Sequence, residues 1–142
     1  MHLRLRSGDQ SWKLPVVLAL FLGPCGAWAH GDWPARHGGV MNDGGETSFE
    51  LVREKRGIVA HVSDHGEPMD VSGGRPELQI RRPGTLQRVK GVPGGTRIVF
   101  PAVVLRPGDE LGLTLVSANG SVAFGRFTPA AVAALVSGKV SK

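Results

Sequence analysis

The sequence predicts an all-β protein, a single Ig-like β-sandwich of about seven strands, and three observations carry that prediction. Short runs alternate apolar with polar residues, the period that turns one strand face to a core and the other to water. Turn-forming clusters punctuate these runs at regular spacing, and the chain holds 21 glycines and ten prolines. Asn119-Gly120 sits between two such runs, a strong short-range hairpin signal.

In chain order, residues 1–29 read as a secretory signal. Arg4, Arg6 and Lys13 form a positive start, and Leu14 to Gly23 is an unbroken apolar run of ten residues. A bilayer span needs about 20. Ala27 and Ala29 flank Trp28 as an A-x-A cleavage site, so a cut is expected between Ala29 and His30 and the mature protein is expected in the periplasm. That cut leaves 113 residues, enough for one core and with no membrane span. Cys25 is the only cysteine and leaves with the signal, which excludes disulfides and thiolate metal sites. The signal takes three of 17 basic and one of 12 acidic residues, leaving 14 against 11, a net +3. The basic residues are scattered among acids, which argues against a nucleic-acid partner.

Residues 30–45 form an irregular Gly/Pro-rich segment, and the sandwich is expected over 46–128. TSFELVRE (47–54) puts Phe49 and Leu51 on one side, Ser48 and Glu50 on the other. GIVAHVS (57–63) follows, and then ELQIRR (77–82) alternates Leu78 and Ile80 with Gln79 and Arg81. Pro83-Gly84 turns the chain into TLQRVKGV (85–92), and Pro93-Gly94-Gly95 turns it again. TRIVFPAVVL (96–105) is one or two strands with Pro101 as a kink or edge. ELGLTLVS (110–117) and SVAFGRFT (121–128) form the hairpin around Asn119-Gly120. Phe49, Leu51, Val62, Leu78, Ile80, Val99, Leu113, Leu115 and Phe124 are the predicted core. Residues 129–142 are a short helix or tail, with Thr128 as N-cap and Pro129 at the first helical position.

The mature chain's chemistry is concentrated at its start. Its four histidines, His30, His37, His61 and His65, fall within its first 36 residues, and both its methionines, Met41 and Met69, lie in the same part of the chain, within its first 40. Neutral imidazole is a common metal ligand and thioether sulfur favours Cu(I), so this set suits copper ahead of zinc or nickel. Cleavage would give His30 a free α-amino group beside its ring, and both could chelate one ion. His37 opens a His-Gly-Gly triplet whose glycines allow a tight bend or close approach of the backbone. His61 points away from Val62 and therefore outward, while Asp64-His65-Gly66 reads as a loop at the strand end. Asp64 would bind metal directly or orient a histidine ring. A Ser72/His65/Asp64 hydrolase set has nothing to position a nucleophile, and His-Gly-Gly lacks the G-x-S-x-G elbow of the esterases it resembles, so no enzyme is expected.

The run from RHGGVM through SFELVREKRGIVAHVSDHGEPMDVSGG resembles a group of small exported bacterial β-domain proteins. These share a His-Gly-Gly start, a FELV strand and a strand ending in Asp-His-Gly, and similar segments occur near periplasmic adaptor subunits of heavy-metal efflux systems. The resemblance covers about residues 36–80. It implies a periplasmic β-domain tied to metal handling, with His37, Asp64 and His65 as its candidates and an efflux component as partner. His61 stands where that pattern has an aromatic or aliphatic residue. Two functions are therefore expected to compete: a copper buffer or chaperone linked to efflux, and a structural or interaction module of the cell envelope that uses no metal.

Overall fold

The computed structural model describes residues 33–42 and 45–138. The signal sequence, its cleavage point and His30 lie outside the described residues. Ten strands precede one helix. They are β1 (Val40–Met41), β2 (Thr47–Glu54), β3 (Gly57–Asp64), β4 (Glu67–Pro68), β5 (Arg75–Arg82), β6 (Thr85–Lys90), β7 (Val92–Gly94), β8 (Arg97–Pro101), β9 (Glu110–Val116) and β10 (Val122–Phe127). The helix is α1 (Pro129–Ser137).

The strands form two antiparallel sheets. One has the order β1-β2-β3-β8-β7, with β4 beside β3; the other has the order β10-β9-β5-β6. Alternation along each strand puts one face of each sheet into a shared core, a sandwich-like arrangement. Phe49, Leu51, Ile58, Ala60, Val62, Ile98 and Phe100 come from the first sheet. Leu78, Ile80, Leu111, Leu113, Leu115 and Phe127 come from the second. Each large apolar side chain buried there contributes about 1.5–3 kcal/mol over its exposed state. The Asn119-Gly120 hairpin forms as the sequence predicts: Gly120 N–H donates to Ser117 O at 2.8 Å, and Val116 pairs with Val122.

Two of the nine predicted core residues lie elsewhere. Phe124 is 57% exposed, and the interior of β10 is filled by Phe127. The strand's parity is set by Gly125, which faces inward against the Phe49 ring and leaves no room there for a side chain. Val99 is half-buried on the outer face, with Ile98 and Phe100 inside. An uninterrupted apolar run has no alternation to fix its parity, and pairing with β3 decides it, Ile98 opposite Ala60 and Phe100 opposite Ile58. Val99 instead joins a cross-strand row with Val52 and Val59. Val59 is buried there, in the register row between those of Arg97 on β8 and Glu54 on β2, whose side chains lie 3.6 Å apart.

Thr128 caps α1 as expected, its Oγ1 accepting from Ala131 N–H at 3.2 Å, with Pro129 in the first turn. Val132 and Leu135 are buried in the common core, so the helix closes the sandwich beside β1, β2 and β9. Its C-terminal end is held by Arg53, whose Nη1 donates to Val136 O at 2.7 Å.

Candidate metal-binding pocket

β2 is buried on both faces around Glu50. Phe49 and Leu51 face the core, but Ser48 and Glu50 on the opposite face are also buried. The cover on that side is the segment from Trp33 to Met41, which folds back over β2 and β3. Glu50 holds it there. Its carboxylate accepts from Arg36 N–H at 3.0 Å, His37 N–H at 2.7 Å and Gly39 N–H at 2.8 Å. The His37 ring completes the set, with Nδ1 2.9 Å from Oε2. Burial alone would raise the Glu50 pKa, but the His37 ring and the three backbone amides outweigh it and hold the group below the usual carboxylate value.

The glycines of His-Gly-Gly make this clamp possible. Gly38 has φ +69°, a left-handed turn that costs other residues energy. Gly39 presses on β2 so closely that an added Cβ would run into the Leu51 carbonyl and the Glu50 side chain. The short β1 then continues the same contact, with Val40 opposite Leu51.

An ionised Glu50 fixes the His37 tautomer. The carboxylate can only accept, so Nδ1 carries a proton, and in the neutral ring Nε2 then keeps the lone pair. This is the carboxylate–histidine arrangement that orients imidazole ligands at metal centres. The His61 ring lies flat on that of His37, with centroids 3.7 Å apart and planes 5° apart. Burial first, then the His37 ring and the Arg97 guanidinium, hold His61 below the usual imidazole pKa, against opposing pulls from Glu50 and Glu54. A pocket of about 90 Å³ adjoins the stack, lined among others by Trp33, Met41 and Thr96. The Trp33 indole rests on Gly66, where an added Cβ would come within 2.8 Å of the ring.

His37, His61 and Met41 are thus brought together, while Asp64, His65 and Met69 are not. Asp64 and His65 sit at the turn between β3 and β4, both exposed, with His65 Nδ1 3.0 Å from Asp64 Oδ1. Both turn positions are left-handed, His65 at φ 46° and Gly66 at φ 81°, the geometry of a tight two-residue hairpin. Met69 packs, half-buried, against the core. Among the described residues no group of three or more His, Cys, Asp or Glu is placed to hold an ion. Nor can His37 and His61 share one while stacked. Imidazole lone pairs lie in the ring plane about 2 Å from a bound ion, and these rings are stacked face to face with centroids 3.7 Å apart and planes within 5° of parallel. Shared coordination requires the His61 ring to turn out of the stack.

No protein-family model matches the chain, and neither a curated protein nor a solved structure matches it. The reading of this pocket therefore rests on its own chemistry. Glu50 is the residue of this candidate site that sequence reasoning missed. An acid at an outward position of a strand reads as solvent-facing, and the only hint was the Gly-Gly pair able to lie against it.

Proposed function

We propose that this protein is an exported metal-binding protein of the periplasm, most suited to copper, that buffers the ion or passes it to a heavy-metal efflux component. The observation that carries the reading is the Glu50–His37 clamp, which leaves a fixed Nε2 lone pair beside a second imidazole and a thioether. His37 supplies the oriented ligand, His61 a second nitrogen once unstacked, and Met41 a sulfur suited to Cu(I). His30, exposed at a new N-terminus by signal cleavage, would add an amine and a ring nitrogen seven residues before His37. The role is binding, without catalysis.

The architecture proposed is Ig-like. With the two- and three-residue strands set aside, the strand orders become β2-β3-β8 and β10-β9-β5-β6. That supports a seven-stranded sandwich with the second, third, sixth and seventh long strands placed as in Ig-type domains.

The test is a titration of the cleaved protein with Cu(I) under a competing chelator, and separately with Cu(II). One equivalent should bind, and His37→Ala, His61→Ala and Met41→Leu should each weaken Cu(I) binding at least about tenfold. Absence of stoichiometric binding to the parent would falsify the metal reading and leave the envelope interaction module in its place.

A further inference from the structure

The outer face of the β10-β9-β5-β6 sheet is built differently from the pocket side and lies on the opposite surface of the sandwich. Register places Arg75, Arg81, Arg88, Lys90 and Arg126 on it, against the carboxylates of Glu77 and Glu110. The carboxylates are already engaged: Glu110 with Arg126 at 2.7 Å, and Glu77 with Arg88 at 3.9 Å. Arg75, Arg81 and Lys90 have no acidic partner within 4 Å among the described residues. The face therefore carries three uncompensated positive charges, a concentration that the whole-chain balance conceals.

Its relief is equally specific. Gly112 leaves a gap in the middle of the face, and the Phe124 ring leans over it, 3.2 Å from where a Cβ would stand. Phe124 is 57% and Leu86 47% exposed, on the two strands that flank the sheet's central pair. Two open depressions, of about 470 Å³ and about 190 Å³, meet at Gln79. Arg75 and Lys90 line the first; Arg81, Leu86 and Phe124 line the second. From Arg75 to Arg81 the groove follows β5 for about 20 Å, the length of an extended segment of about six residues.

We infer that this groove binds an extended acidic peptide segment of a partner protein, one that carries an apolar side chain between its carboxylates. The unpaired cations supply charge complementarity and steer the encounter. Phe124 and Leu86 form an apolar seat around the Gly112 gap, which a purely anionic ligand such as a phosphate-bearing headgroup would leave unused. The aromatic ring gives large contact area at small entropic cost, as at anchor positions of protein interfaces. Because the pocket under Trp33 and His37 lies on the other sheet, a partner seated here leaves that pocket open. The inference needs no metal.

The test uses the cleaved protein, isotope-labelled, and a short synthetic peptide of glutamates around one leucine. Amide resonances of Gln79, Gly112 and Phe124 should shift on titration, and binding should weaken with added salt. Arg75→Glu combined with Arg81→Glu should weaken binding about tenfold or more, and Phe124→Ala several-fold. All three positions are exposed, and circular dichroism of each variant checks that the fold is kept. Replacing the peptide's leucine by glycine should weaken it, and replacing its glutamates by lysines should abolish it. The inference is overturned if millimolar peptide moves none of these resonances, or if the charge-reversed protein binds it as the parent does. It is equally overturned if inorganic phosphate or phosphatidylglycerol vesicles give the same shifts and the leucine adds nothing, which would make the face a general polyanion surface.

Discussion

Glu50 grips His37 twice, through the backbone amide at 2.7 Å and through ring Nδ1 at 2.9 Å, although 13 positions separate the two in the chain. Removing the carboxylate while keeping its shape isolates what that grip does. In Glu50→Gln one oxygen becomes an amide nitrogen that faces backbone donors. The unfolding free energy should fall by about 1–3 kcal/mol, measured by urea denaturation without metal. Copper affinity should fall about 10–100-fold, because ring orientation is lost along with stability. A variant that loses stability but binds copper like its parent would show that the clamp only fastens the segment.

His65→Gly separates turn from ligand. His65 adopts a left-handed conformation that costs a non-glycine residue about 1–2 kcal/mol, and its contact with Asp64 is exposed and worth little. The variant should unfold at a slightly higher urea concentration. Its copper affinity should match the parent, since His65 does not line the pocket. Weaker copper binding in this variant would return Asp64 and His65 to the ligand set that the sequence resemblance implies.

The two phenylalanines of β10 should behave oppositely. Phe127 is fully buried, and Phe127→Ala should cost about 3–5 kcal/mol. Phe124 lies on the outer face, and Phe124→Ala should change stability by less than about 1 kcal/mol. Comparable losses in thermal or urea unfolding would mean that the strand parity is misread.

Asp109 should give the protein part of its acid sensitivity. Arg82 donates to its carboxylate from Nε at 2.7 Å and from Nη2 at 2.9 Å, and the Arg106 amide donates at 2.8 Å. The Arg82 hydrogen bonds, against the cost of burial and with help from Arg106, hold the carboxyl below its ordinary value. A depressed folded pKa stabilises the protein above the unfolded value, near 3.9, and that contribution disappears as pH falls through the lower folded value. Asp109→Asn should therefore be less stable than the parent at neutral pH, and the gap should narrow below about pH 4. Urea midpoints of both proteins measured from neutral to acid pH decide this; a constant gap would contradict it.

The strands were readable because their alternation is local. Phe49 and Leu51 against Ser48 and Glu50 reveal a strand with nothing but neighbours, and Thr128-Pro129 reveals a helix start in the same way. Where local pattern was missing, parity was not legible: Val99 sits in a continuous apolar run, and Phe124 and Phe127 are separated by Gly125 and Arg126 in a strand whose facing depends on Phe49 of another sheet. The pocket was half legible. Residue type marked His37, His61 and Met41, and the outward direction of His61 followed from Val62. Their meeting depends on a carboxylate 13 positions from one histidine and directly across the hairpin from the other, a relation that only the register of β2 on β3 creates. Asp64 and His65 looked equivalent to them by composition, yet a left-handed turn directs them elsewhere.

Trp33 has a practical consequence. The chain contains three tryptophans and no tyrosine, and Trp12 and Trp28 belong to the predicted signal. In the cleaved protein all tryptophan emission would then arise from one indole, seated on Gly66 at the mouth of the pocket. The protein carries its own optical reporter there. Release of the segment from β2, or arrival of a quenching ion beside His37, would register in a fluorimeter without any label.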